Sequence, residues 1–249
     1  MKRSKIIKDG LIIAIIKSKW IFRNFLSFLT AVIFPVFISL VSIFVFHVVN
    51  LPYAFSMVVL FMTSLSTIAL VSQGIVSDEQ SRTLAIFVTL PIHPFSYALG
   101  IALHSLIFNS SGLIILIPLY FLLSLLTEKV PIANFILIFV ASLPGWVTCL
   151  SVGFFIGIFG MKKNWVYALS SMLSVIFAFV NPLFIPIENL PVVFHYLIYL
   201  IPTTPFALII RGIVAGSSFE YILVNLIINF VYAVIMFSLA TKQVRWALG

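Results

Sequence analysis

The chain is built from long apolar runs that carry no Asp, Glu, Lys or Arg in their central parts, with the charges gathered at the breaks between them. A backbone of that composition must satisfy its own N–H and C=O groups away from water, and only helices or closed barrels do so. A barrel needs short segments of alternating polarity. These runs are continuously apolar, which leaves helices. Only 8% of the residues are charged and the mean hydropathy is +1.26, whereas in soluble domains roughly a quarter are charged. The chain reads as an all-α membrane protein, a single transmembrane domain over 1–249. The single Cys149 lies inside an apolar run, which excludes a disulfide framework and a cysteine-based metal site.

At about 20 residues per crossing, six transmembrane helices are expected, at Asn24 to Phe46, Tyr53 to Val76, Phe95 to Leu126, Ile132 to Gly160, Trp165 to Val180 and Phe219 to Leu239. The third and fourth are longer than a span needs and must tilt, kink or protrude, with Pro118 and Pro144 as kink points. Residues 1–23 surround the apolar run Leu11 to Ile16 with Lys2, Arg3, Lys5, Lys8, Lys17, Lys19 and Arg23. That run is short and lacks a small-residue cleavage site, so a helix lying in the interface, its lysines toward anionic headgroups, fits better than a secretory signal. With the N-terminus inside, Arg82, Lys162, Lys163, Lys242 and Arg245 join the N-terminal cluster on the inner side, and only Lys129 and Arg211 fall outside. Both termini are therefore expected in the cytoplasm. The net charge of +8 is placed for membrane lipid, not nucleic acid.

Val192 to Ile210 is apolar enough for a seventh crossing. Pro202 and Pro205 interrupt it, and a seventh crossing would carry Lys242 and Arg245 outside. Residues 181–217 are instead expected to form an external re-entrant segment of two short helices, held between spans five and six.

The break at 77–94 reads Ser-Asp-Glu-Gln-Ser-Arg-Thr-Leu-Ala-Ile-Phe-Val-Thr-Leu-Pro-Ile-His-Pro. Its back half has the pattern of a short amphipathic helix, with Leu84, Phe87 and Val88 on one face, Ser81 or Thr83 as cap, and Pro91 and Pro94 to end it. Two readings of Glu79 and Arg82 are open: a solvated loop with a local ion pair worth about 0–1 kcal/mol, or a contact point for a soluble partner. The order of Asp78, Glu79, Thr83, Leu84 and Pro91 resembles the cytoplasmic loop of ABC-2-type permeases, which runs Glu-x-x-x-Gly-Thr-Leu-Glu to a Thr-Pro. Arg82 stands where that pattern has Gly, Ala85 where it has its second Glu, and Leu90 where it has Thr. Downstream, Pro186, Glu188, Pro191, Pro202 and Arg211 resemble the same family's external Phe-Pro-x-Glu-x-Leu-Pro, Asn-Pro-x-Thr and later Arg, with Ile201 in place of the Asn.

The resemblance implies the membrane-spanning subunit of an ABC exporter of the type V-like class. It implies a cytoplasmic coupling helix between spans two and three, a separate ATP-binding cassette subunit docked on it, and a homodimer or a related permease as partner. The chain has no Gly-x-x-x-x-Gly-Lys-Ser/Thr of its own, so ATP and Mg would be bound by the partner chain, with no cofactor here. It also has no His-Glu-x-x-His, and no catalytic or metal-ligating set is expected. The spans lack fixed charge, which points to an amphipathic, lipidic or drug-like substrate. The alternative is an ATP-independent channel, carrier or assembly factor, for which an ionisable group at mid-membrane would be the usual mark.

Three further features have two readings each. His104 is either a substrate contact or a helix-to-helix hydrogen bond. Gly153, Gly157 and Gly160 form either a dimer face or a packing stripe within the chain. Ser39, Ser42, Ser64, Ser66, Thr67, Ser72, Asn109, Ser110 and Ser111 either line a path or bond within the helices.

Overall fold

The computed structural model describes residues 3–23, 33, 35–41, 50–83, 86, 89, 92–126, 131–158, 163–185 and 191–243. Regular structure among them is entirely helical: α1 (Arg3–Arg23), α2 (Leu51–Gln80), α3 (Pro94–Leu126), α4 (Ile132–Ile158), α5 (Lys163–Phe179), α6 (Val192–Leu197) with the 3-10 turn Ile198–Leu200, α7 (Thr204–Ala215) and α8 (Phe219–Gln243). Most of the first expected span, Asn24 to Phe46, lies outside the described residues. Four helices, α2, α3, α4 and α8, are long and apolar enough to cross a membrane, or five spans if the bent pair α6–α7 counts as one. The span expected at Trp165 to Val180 appears as α5 with 17 residues, about 25 Å at 1.5 Å per residue and short of the roughly 30 Å core.

The helix ends follow from local chemistry. Asn50 caps α2, its Oδ1 accepting the Tyr53 N–H at 3.0 Å, and Pro52 occupies the first turn where its missing N–H costs nothing. Pro94 opens α3 in the same way. α7 closes at Gly216, whose φ of 67° lets the chain turn left-handed. There the Ser217 and Gly216 N–H groups bond the Gly212 and Ile213 carbonyls at 2.8 and 3.3 Å. Pro118 and Pro144 lie inside α3 and α4, which run through them.

α2 is the centre of the bundle. In its most apolar stretch 78% of the residues are buried, against 17% for α8. Phe55 packs edge-on against Tyr120 of α3 and Phe135 of α4, with ring centroids 5.1 and 5.5 Å apart. At mid-helix Asn109 of α3 donates to Thr67 and accepts from Ser66, and Gln73 reaches Ser170 of α5 at 3.2 Å. Ser56, Ser64 and Ser72 each donate to the carbonyl four residues back, so these hydroxyls bond within α2.

The contacts also give the sense of each helix. Pairs Phe55–Tyr120, Thr67–Asn109 and Asp78–Tyr97 run α3 antiparallel to α2. Gly153 at Val71 and Gly157 at Ile75 make α4 parallel to α2. Gln73–Ser170 and Phe61–Phe179 make α5 antiparallel to it. Thr148–Asn229 and Phe154–Phe237 make α8 parallel to α4.

The glycine stripe of α4 faces α2 within the chain. A Cβ at Gly153 would come 2.9 Å from the Val71 Cβ and 3.1 Å from the Ile68 carbonyl oxygen. Gly157 is as tight against Ser72 and Ile75, while Gly160 lies outside the described residues. Lipid chains are as apolar as the helices, so close backbone approach is what holds such a pair together. Gly74 of α2, by contrast, has nothing within 4 Å of where its Cβ would be.

Gly153→Ala is therefore expected to destabilise the bundle by about 1–3 kcal/mol through overpacking. Gly74→Ala should stabilise it by about 0.5–1 kcal/mol through helix propensity. Thermal unfolding of the two variants in one detergent checks this; midpoints moving together would contradict it.

Candidate functional site

The 77–94 break begins later than its composition suggests. α2 continues through Gln80, so Asp78 and Glu79 belong to its last turn. An acid there faces the negative end of the helix dipole, which is unfavourable by about 0.3–1 kcal/mol. Asp78 is nonetheless buried at 8% exposure. Lys17 of α1 donates to both of its oxygens, at 2.8 and 2.6 Å, and Tyr97 of α3 donates its hydroxyl at 2.7 Å. One carboxylate thus ties together α1, the end of α2 and the start of α3. Taking away Lys17 costs more than a surface pair's worth of about 0–1 kcal/mol, because the buried Asp78 carboxylate is left without its counter-charge.

α1 reaches Lys17 along a stripe of small residues. Gly10, Ala14 and Ser18 recur every fourth residue, and Ala14 and Ser18 are buried. A Cβ on Gly100 of α3 would lie 2.5 Å from the Ile13 side chain and 3.1 Å from the Gly10 carbonyl oxygen. Further along, the Ser18 hydroxyl is 3.1 Å from His104 Nδ1. Contacts that advance from Gly10–Leu99 to Ser18–His104 run α1 and α3 in the same sense. His104 is the helix-to-helix hydrogen bond of its two readings. The other side of α1 exposes Ile7, Leu11, Ile12, Ile15 and Ile16 beside the exposed Lys5, Lys8, Lys19 and Arg23.

The loop proper starts with a left-handed residue. Arg82 has φ 57°, and its N–H bonds the Glu79 carbonyl at 3.2 Å. This is the position just past a helix end where glycine is commonest. It is also where the resembled loop pattern has its Gly. Thr83 follows, half-buried, its hydroxyl 2.8 Å from Ser81 Oγ, and residues 83, 86 and 89 are helical. Glu79, Arg82, Ile86, Thr89 and His93 are exposed, and Glu79 and Arg82 form no ion pair with each other among the described residues. Leu84, Phe87 and Pro91 lie outside the described residues. The exposed tip is thus mixed polar and apolar, held at its base by Asp78.

At the other end of α2, the Tyr53 hydroxyl donates to the Leu183 carbonyl at 2.8 Å. Asn181 folds the turn after α5 by accepting the Leu183 N–H at 2.9 Å. Pro191 precedes α6, and Pro202 is buried in the break between α6 and α7, where the two legs bend by 110°. Pro205 starts α7 and does not interrupt it. Arg211 lies half-buried on α7; Pro186 and Glu188 are outside the described residues. The described members of the two groups, Asp78 to Thr83 on one side and Pro202 and Arg211 on the other, therefore stand toward opposite ends of α2, a helix of 30 residues and about 45 Å.

Lys17 and Tyr97 were not singled out by sequence reasoning. The Gly10–Ala14–Ser18 spacing, and Ser96 with Gly100 on α3, are the signals that would have paired α1 with α3 and put Lys17 beside Asp78.

A family model described as ABC-2 type transporter matches residues 11–216 of the chain. No curated protein and no solved structure is similar enough to count as a match. The matched range takes in α1 from Leu11, both ends of α2, the loop and the α6–α7 pair.

Arg82→Gly should stabilise the chain by roughly 0.5–1 kcal/mol, the relief of the left-handed conformation outweighing the added freedom of the unfolded state. Arg82→Val should destabilise it. Thermal midpoints in detergent read both; a Gly variant less stable than the parent would count against the turn described here.

Proposed function

The chain belongs to the ABC-2 type transporter family and is the permease component of an ABC transporter, and on that footing we propose that it works as the membrane subunit of an ATP-driven exporter. Two copies, or this chain and a related permease, pair in the cell membrane. Each carries an ATP-binding cassette subunit on the 77–94 loop at the cytoplasmic side. The observation that carries this reading is the loop itself: an exposed helical tip at the α2–α3 turn, in a chain whose family match spans it.

Six spans per copy, with both termini inside, follow if the residues of Asn24 to Phe46 supply one crossing and α5 another. The helix senses support this count. α5 is antiparallel to α2, and α8 is parallel to α4. The segment between α5 and α8 therefore returns to the side it left, as a re-entrant pair does and a single crossing does not. The positive-inside bias puts that pair on the outer side.

In the proposed cycle, ATP closes the partner subunits and draws the two loops together. Glu79, Arg82, Thr83, Leu84, Phe87 and Pro91 form the docking surface, and α2 and α3 carry the movement outward. The path opens between the two copies toward the outer leaflet. Spans without fixed charge suit an amphipathic, lipidic or drug-like substrate.

Tagged protein extracted in mild detergent is expected to elute with a chain that hydrolyses ATP, and replacing residues 82–91 with a Gly/Ser linker should release that chain. Residues outside the linker, Asp78 included, are left intact so that α1 stays in place. A folded permease that elutes alone, with the loop replacement changing nothing, would overturn the ATP-driven reading.

A further inference from the structure

The geometry around Asp78 joins α1 to the loop more tightly than packing requires. Gly10 and Gly100 already bring α1 and α3 into backbone contact. Apolar side chains at positions 17 and 78 would complete that contact without placing an acid at the negative end of α2. What the charged pair adds is direction. Two Lys17 contacts and one Tyr97 hydrogen bond, all between 2.6 and 2.8 Å, hold one carboxylate from two sides, whereas apolar contacts allow sliding and rotation. Asp78 lies one turn before Arg82, the residue that turns the chain into the loop.

We propose that Lys17, acting through Asp78, is a positioning residue for the loop. It makes α1 and the loop one mechanical unit, so that a displacement of the loop is carried into α1 as well as into α2 and α3. The inference rests on the permease reading for what displaces the loop, but the rigid connection is a property of this chain alone.

The test uses spin labels at Lys8→Cys on α1 and Thr89→Cys on the loop, both exposed positions, in a Cys149→Ala background, with the full chain in lipid nanodiscs. The parent should give one narrow distance distribution, unchanged by MgATP when an ATPase co-elutes. Lys17→Met, Asp78→Leu and Tyr97→Phe together replace the bonded groups by apolar ones, the last so that no buried hydroxyl loses its acceptor, and should leave the thermal midpoint close to the parent's. Its distance distribution should broaden, a change that a merely structural role would not produce. Lys17→Asp together with Asp78→Lys should restore the narrow distribution. An apolar variant as narrow as the parent, or an exchanged pair that stays broad at the parent's thermal midpoint, would overturn the proposal. The distance is read whether or not an ATPase co-elutes, so a failure here is distinct from a failure of the permease reading.

Discussion

A helix largely buried by its neighbours within a membrane gains little from burying apolar surface, because the lipid it leaves is equally apolar. Everything around α2 follows from that constraint. Its neighbours are held by close backbone approach and by side-chain hydrogen bonds. Gly153 and Gly157 bring in α4, Asn109 brings in α3, Gln73 holds α5, and Asp78 holds α1 through Lys17. The hydroxyls of α2 that meet no neighbour fold back on their own carbonyls. The helix is therefore fastened at intervals along its whole length, from Tyr53 to Asp78, and a movement at one end cannot be absorbed by slippage in the middle.

That fastening gives the two ends different characters. At the Asp78 end the bonds are charge-assisted and converge on α2 from two helices, and the exposed loop begins one turn later. At the Tyr53 end the partners are neutral: a phenol on a carbonyl, and an Asn folding its own turn. Charge-assisted bonds are roughly twice as strong as neutral ones. On the proposed function, the stiff end receives the push and the softer end, beside the bent pair, is where the bundle yields.

Much of this was legible in the sequence, and the gaps have physical causes. Apolar runs without charge identify membrane helices because the cost of an unsatisfied backbone leaves no alternative. The ends of the runs at Asn50, Pro94 and Phe219 follow from capping residues, prolines and a nearby charge. The 77–94 break ends at Pro94, where α3 begins, but its first turn is helix, since α2 runs on through Gln80. Asp78 and Glu79 are polar, and nothing local says that one of them is neutralised by a lysine 61 residues earlier. The same blindness to tertiary partners left Lys17 among the headgroup-facing cations, though the Gly10–Ala14–Ser18 spacing marks the face it shares. Glycine spacing by itself suited both a dimer face and internal packing. Only the closeness of Ile68 and Val71 to Gly153 assigns it to α2.

The break between α6 and α7 shows why an interrupted helix is tolerated at this end of the bundle. Non-helical backbone at membrane depth needs cover and partners. The Thr203 hydroxyl donates to the Phe177 carbonyl at 2.8 Å, Thr204 donates to Ile198, and Pro202 removes a donor that would otherwise need one. The second leg is buried from Thr204 to Ile210, with Phe206 seated on Gly145 so closely that a Cβ there would lie 2.2 Å from its ring. The first leg is held at its end, where Ile198 is buried and the Tyr232 hydroxyl of α8 donates to the Tyr199 carbonyl, while Val192, Val193 and Tyr196 before it are each at least two-thirds exposed. One proline-broken segment is therefore anchored on its second half and apolar on the outside of its first. Within the break the Ile201 N–H bonds the Ile198 carbonyl and the Thr204 N–H bonds the Ile201 carbonyl, so the chain changes direction while its own backbone supplies the partners that lipid cannot.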